Sequence, residues 1–111
     1  MMNLHVLYEI LRDVAARQSV ITYKELSREY AKRTRKKIHW RQWRPHLEEL
    51  GDLITSLDKT LPPIAALVVN AQSRMPGKGF FSSVRSTRIA PRAYWLEVLH
   101  RVYDADWPES I

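Results

Sequence analysis

No cysteine occurs among the 111 residues, which excludes a disulfide, a thiolate metal site and a thiolate nucleophile. Long apolar runs are also missing. The longest, Ile64–Val69, is strand-sized and falls far short of the roughly 20 residues a membrane span requires. The opening MMNLHVLYEILRD carries acids and no basic stretch, so it does not read as a signal peptide. No glycine-rich phosphate loop is present: Met75-Pro76-Gly77-Lys78-Gly79 follows an apolar run, but opens no helix and lacks Walker spacing. These absences point to a cytoplasmic protein with no membrane partner, and no cofactor is expected. An apolar share of 45% with 27% charged residues suits one soluble domain over residues 1–111, with a modest core.

Positive charge is what the chain has in excess, and it is unevenly spread. The net charge is +6, yet residues 1–27 are neutral and 28–44 carry +7, eight cations against Glu29 alone. The next stretch, 45–73, carries −3; residues 74–92 carry +5 with no acid, and 93–111 carry −3. The core of the first basic block reads KRTRKKIHWRQWR, with Trp40 and Trp43 threaded through it. Arginine outnumbers lysine 12 to 6. Its planar fork matches phosphates and guanine edges, so the bias points to nucleic acid over mere solubility.

Hydrophobic spacing organises the chain around those blocks. Leu4, Leu7, Leu11 and Val14, with Tyr8 and Ala15, predict a helix from about Asn3 to Arg17. Thr22 and Glu25 form a capping box that starts a second helix, stapled by Ile21 and Leu26, with Leu26, Tyr30 and Ala31 as its buried stripe. It should fade around Arg33–Lys37, where adjacent cations repel. Trp43, Leu47, Leu50, Ile54 and Leu57 predict a third helix. Pro45 is tolerated only in a first turn, which sets the start between Trp40 and Arg44. Gly51 weakens that helix and invites a bend. Ile64–Val69 then reads as a buried strand and Phe80–Val84 as a second one, joined by the basic tip SRMPGKG. In a strand, adjacent Phe80 and Phe81 would face opposite sides. Pro91 opens a final helix through Trp95, Leu96, Leu99, Val102 and Tyr103, closed by Asp104–Pro108.

This order gives an α+β, mainly helical fold: a winged helix-turn-helix with a two-stranded β-hairpin wing and a C-terminal helix. In that class the third helix enters the major groove and the wing touches the backbone or the minor groove. Both basic blocks fall on the gripping elements. Phosphate contacts are expected from Arg33, Arg35, Lys36, Lys37, Arg74 and Lys78, with Arg85 and Arg88 in the second block, and base-edge contacts from Arg41 and Arg44. Trp43 and Trp95 fit core positions. Trp40, between His39 and Arg41, is a candidate for stacking on a base.

Thr22-Tyr23-Lys24-Glu25-Leu26, the helix after Trp43, Pro62-Pro63-Ile64 and Met75-Pro76-Gly77-Lys78-Gly79-Phe80 together resemble the DNA-binding half of alkylguanine-DNA alkyltransferases and alkyltransferase-like proteins. The resemblance covers residues 4–80 and implies a DNA contact for Tyr23. It does not extend to the chemistry. Alkyl transfer needs a thiolate within Pro-Cys-His-Arg, and here the run is Pro-Pro-Ile-Ala-Ala-Leu-Val-Val, without the tryptophan that marks the alkyltransferase-like group. The segment PPIAALVVN with MPGKGFF is also similar to a stretch of small bacterial proteins of unassigned function, which implies no activity.

Other chemistry finds little support. His39 and His46 lack a carboxylate spaced to complete a metal site, and Asp104 with Asp106 are explained by a helix end. The leading expectation is a non-enzymatic nucleic-acid binder, with duplex DNA favoured. The first alternative is a phage- or defence-related module whose partner is a protein in a nucleic-acid-handling complex. The second is a metal-free ribonuclease toxin using His39 or His46 beside Arg41 and Arg44.

Overall fold

The computed structural model describes residues 2–77, 80 and 91–111. Helix α1 spans Leu4–Ala16 and is capped by Asn3, whose side chain accepts the Val6 N–H at 3.2 Å. Its 3.6-residue periodicity buries Leu7, Tyr8, Ile10, Leu11, Val14 and Ala15 on one face. The chain leaves α1 through Gln18, whose positive φ of 50° turns it towards β1, Ile21–Thr22.

Helix α2 spans Tyr23–Thr34 and begins with the expected capping box. The Glu25 N–H donates to Thr22 Oγ1 at 3.1 Å, and the Thr22 N–H donates to Glu25 Oε1 at 3.0 Å. Those hydrogen bonds, helped by the positive charges of Arg74 and Arg28, hold the Glu25 carboxyl below the usual glutamate range. Leu26 and Tyr30 are buried, while Ala31 is only half-buried. The helix ends as its cations crowd together. Arg35 caps it with φ 62°, donating its N–H to the Ala31 carbonyl at 2.7 Å.

A one-turn 3-10 segment, Trp40–Gln42, leads directly into α3, Trp43–Leu57, so Pro45 falls in the first turn. Trp43, Leu47, Leu50 and Ile54 are buried. Leu57, expected in the same stripe, is 60% exposed, because the helix stops there and the chain turns away at Asp58. Gly51 introduces no break: α3 runs through it.

The apolar run after Pro62-Pro63 is a correction to the predicted strand. Ile64–Leu67 form a second 3-10 turn, and only Val68–Val69 are extended, as β2. Within the described residues β2 pairs with β1 in parallel, Ile21 opposite Val68 and Thr22 opposite Val69, and not with a following strand. Phe80, the first residue of the predicted second strand, is helical; the remainder of that segment, including Phe81, lies outside the described residues. Helix α4 spans Pro91–Asp104. Its Trp95 indole donates to the Ala66 carbonyl at 2.8 Å, fastening α4 to the second 3-10 turn, while Leu96 is 38% exposed. Trp107 then packs edge-on against Tyr8, and the Tyr8 hydroxyl donates to the Pro108 carbonyl. Among the described residues no helix is long and apolar enough to cross a membrane.

Among the described residues one apolar cluster joins α1, α2, α3 and α4, the second 3-10 turn and both short strands. Leu7, Leu26, Leu50 and Leu67 are fully enclosed in it. Each contributes about 1.5–3 kcal/mol of burial. The capping box provides the local test. Thr22→Ala should cost about 1 kcal/mol in urea unfolding at neutral pH. The folded-state carboxyl of Glu25 is lowered, so its contribution is complete above the unfolded value of about 4.3 and is lost as pH falls through the lower folded value. The stability gap between wild type and Glu25→Gln should therefore close on acidification.

Candidate nucleic-acid interface

Two helix starts meet at Trp40. The ring is partly exposed, with Lys24 Nζ 5.6 Å and Arg41 Cζ 4.9 Å from its centroid. His39 stacks beside it at 5.6 Å with an interplanar angle of 26°. The turn is fixed by its own capping: the Arg41 N–H donates to His39 Nδ1 at 3.1 Å, and the His39 N–H to Gln42 Oε1 at 3.3 Å. That bond requires an unprotonated Nδ1 on His39.

What sets the direction of the turn is the next residue. Trp43 is fully buried; its indole N–H donates to Ser27 Oγ at 2.7 Å, and its ring meets Tyr30 edge-on at 5.4 Å. Because Trp43 anchors α3 to α2, Trp40 and Arg41 are carried outward over the first turn of α2. His46 packs its ring edge-on against Trp43 and is half-buried.

Three cations are arranged against the local dipoles, although the first turn of α2 also holds Glu25. A helix N-terminus carries partial positive charge and favours acids. Here Lys24 occupies the first turn of α2, Arg44 the first turn of α3, and Arg41 the turn just before it, with no acid in the first turn of α3. Cations in these places raise the positive potential of one face, an arrangement suited to an anionic partner. Backbone conformation adds to this. Arg35 and Arg74 both hold positive φ, 62° and 57°, where glycine or asparagine fits more easily. Both side chains are exposed.

The expected contact residues divide as follows. Arg35, Lys36 and Lys37 are exposed on the loop after α2. Arg41 and Arg44 stand beside Trp40, with Arg44 in a solvent-exposed pair with Glu48 at 3.2 Å. Such a pair is worth little and exchanges readily for a phosphate. Arg74 lies near the start of α2, close enough to help lower the Glu25 carboxyl. Arg33, by contrast, is engaged by Asp13 at 3.2 Å and Glu29 at 3.3 Å, which compete with any phosphate. Lys78, Arg85 and Arg88 lie outside the described residues.

Tyr23 serves the loop after β2. Its hydroxyl accepts the Gly77 N–H at 3.1 Å, and a Cβ on Gly77 would lie 3.2 Å from that oxygen, so this close approach favours glycine. Tyr23 and Trp40 both line a small depression of about 360 Å³ floored by residues 70–73. They also line a larger cleft of about 630 Å³ that runs along α3. Lys24, Asn70 and Tyr94 were not singled out by sequence. Only Lys24 carried a signal there: a cation two residues past a helix cap.

Among the described residues no three His, Asp or Glu side chains gather to hold a metal ion. Comparison with protein-family models, curated proteins and solved structures finds no match for the chain.

Two substitutions test this geometry. Tyr23→Phe removes the acceptor for the Gly77 N–H and should cost about 1 kcal/mol, with faster tryptic cleavage after Arg74. Arg35→Gly relieves a left-handed arginine and should raise the thermal midpoint, by the equivalent of about 1 kcal/mol, while removing one surface cation.

Proposed function

We propose that this chain is a nucleic-acid-binding protein that works by binding, not by chemistry. The observation that carries the reading is the meeting of Trp40 with Lys24, Arg41 and Arg44 at the starts of α2 and α3. Helices α2 and α3 act as a helix-turn-helix, with the loop beyond β2 in the role of the wing. Cytoplasmic residence accords with this. Backbone contacts come from exposed cations: Lys24 at the start of α2, Arg35, Lys36 and Lys37 in the loop after it, and Arg74 beyond β2. Arg41 and Arg44 stand where base edges or the nearest phosphates would be met, and duplex DNA is the favoured duplex.

Both histidines of this face have structural partners: His39 Nδ1 caps its turn, and His46 packs edge-on against Trp43. Purified protein incubated with total RNA, in chelator and then with magnesium, should leave it intact.

Binding should depend steeply on salt. With about six phosphates neutralised, duplex affinity should fall about a thousandfold between 50 and 200 mM salt in fluorescence anisotropy. Lys36→Ala should reduce the slope of log affinity against log salt by about 0.9, whereas Arg33→Ala should leave it nearly unchanged, since Asp13 and Glu29 already hold that cation. No binding to duplex or single strand at low salt would remove the reading.

A further inference from the structure

The charge of α3 limits how it can meet a duplex. Beyond its first turn its exposed residues include Glu48, Glu49 and Asp52. A helix laid lengthwise in the major groove would hold these carboxylates against the phosphate walls. Only the N-terminal end of α3 suits a polyanion, so contact there is end-on.

The cleft of about 630 Å³ opens at that end. Its size falls within the range of about 300–1,000 Å³ that takes small organic ligands. Trp40, Arg41 and Arg44 line it, with Tyr23 and Tyr94 as further aromatic walls and Leu47 and Ile54 as apolar floor. Glu48 and Asp52 line it too. They repel a phosphate and accept N–H donors, whereas Arg41 and Arg44 attract a phosphate. A nucleotide entering here is thus polarised, backbone towards the arginines and base inward. Gly51 also lines the cleft, and a Cβ there would meet nothing within 4 Å. Glycine weakens a helix interior, and among the described residues no packing calls for it at this position. Its lack of a side chain leaves the cleft wider there.

Among the described residues the far wall, formed by Thr55, Leu61, Pro62 and Pro63, carries no cation. The described arginines of the cleft, Arg41 and Arg44, thus stand on one side of it, which fits a strand that runs off a duplex end. We propose that the preferred ligand is a duplex with a single-stranded extension, the first unpaired nucleotide sitting in this cleft with its base stacked on Trp40. This rests on the nucleic-acid reading above and names its substrate class. A partly exposed tryptophan flanked by cations is the kind of platform on which single-stranded bases stack.

Anisotropy with a labelled blunt hairpin, and with the same hairpin bearing four-nucleotide 5′ or 3′ extensions, tests the proposal. At least one extended hairpin should bind about tenfold more tightly than the blunt one, the lower part of the range that one stacked base supplies. The extended-to-blunt ratio should fall towards one in Trp40→Ala and in Gly51→Leu, and be partly kept in Trp40→Phe. Gly51→Leu favours the helix and fills open space, so circular dichroism should show it folded. Equal affinity for blunt and extended hairpins, or an advantage that survives both Trp40→Ala and Gly51→Leu, would overturn the proposal while leaving nucleic-acid binding in place. Absence of binding to every hairpin would instead overturn the underlying reading along with it.

Discussion

The indole of Trp43 sits where three helices depend on one another. Its N–H reaches Ser27 on α2, its ring meets Tyr30, and the Tyr30 hydroxyl accepts the Asn3 N–H that precedes α1. A large aromatic in this position supplies burial and direction together. The burial holds α3 against α2, and the hydrogen bond to Ser27 fixes how the ring is turned. Everything immediately before it follows from that orientation. Trp40 lies three residues upstream, at the start of the 3-10 turn that leads into α3, and is only partly buried while Trp43 is fully enclosed. The cationic face is thus positioned by an apolar contact, which is why charges that repel one another stay together.

That repulsion is not relieved internally to any great extent. Arg44 has Glu48 and Arg33 has Asp13 and Glu29, all near the surface, where such pairs contribute little. Lys24, Arg41, Lys36 and Lys37 sit beside rings, loops and helix starts that do not neutralise them. Left-handed backbone at Arg35 and Arg74 adds a conformational cost of about 1 kcal/mol each. A fold that carries such costs on one side is balanced by its core, here a single cluster reaching from α1 to α4.

Local signals in the sequence were read well, because local chemistry decides them. The Thr22–Glu25 box, Pro45 as a first-turn proline and Pro91 as a helix opener all depend on neighbours a few residues away. The errors came from long-range partners. Ile64–Val69 is β-branched and apolar, as a strand would be, yet Trp95 claims the Ala66 carbonyl and Ile64–Leu67 curl into a 3-10 turn. The extended remainder finds its partner at Ile21–Thr22, a pair too short to announce itself by alternation. Leu57 fits the helical stripe, but periodicity does not say where the core ends. Within the candidate interface, Trp40, Arg41 and Arg44 stood out by composition. Lys24, Tyr94 and the cleft beside Gly51 did not, since they depend on α2, α3 and α4 coming together.

The parallel pairing of Ile21–Thr22 with Val68–Val69 bears on the order in which the chain acquires its shape. The two partners are separated by the whole of α2 and α3, so loop closure must precede any reward from that ladder. Helices α1 and α2, the turn and α3 need no such closure. During synthesis the segment bearing most of the positive charge has therefore left the ribosome before the residues that complete β2 and the far wall of the cleft. The basic segment is thus synthesised before the partner strand that closes the fold over it exists.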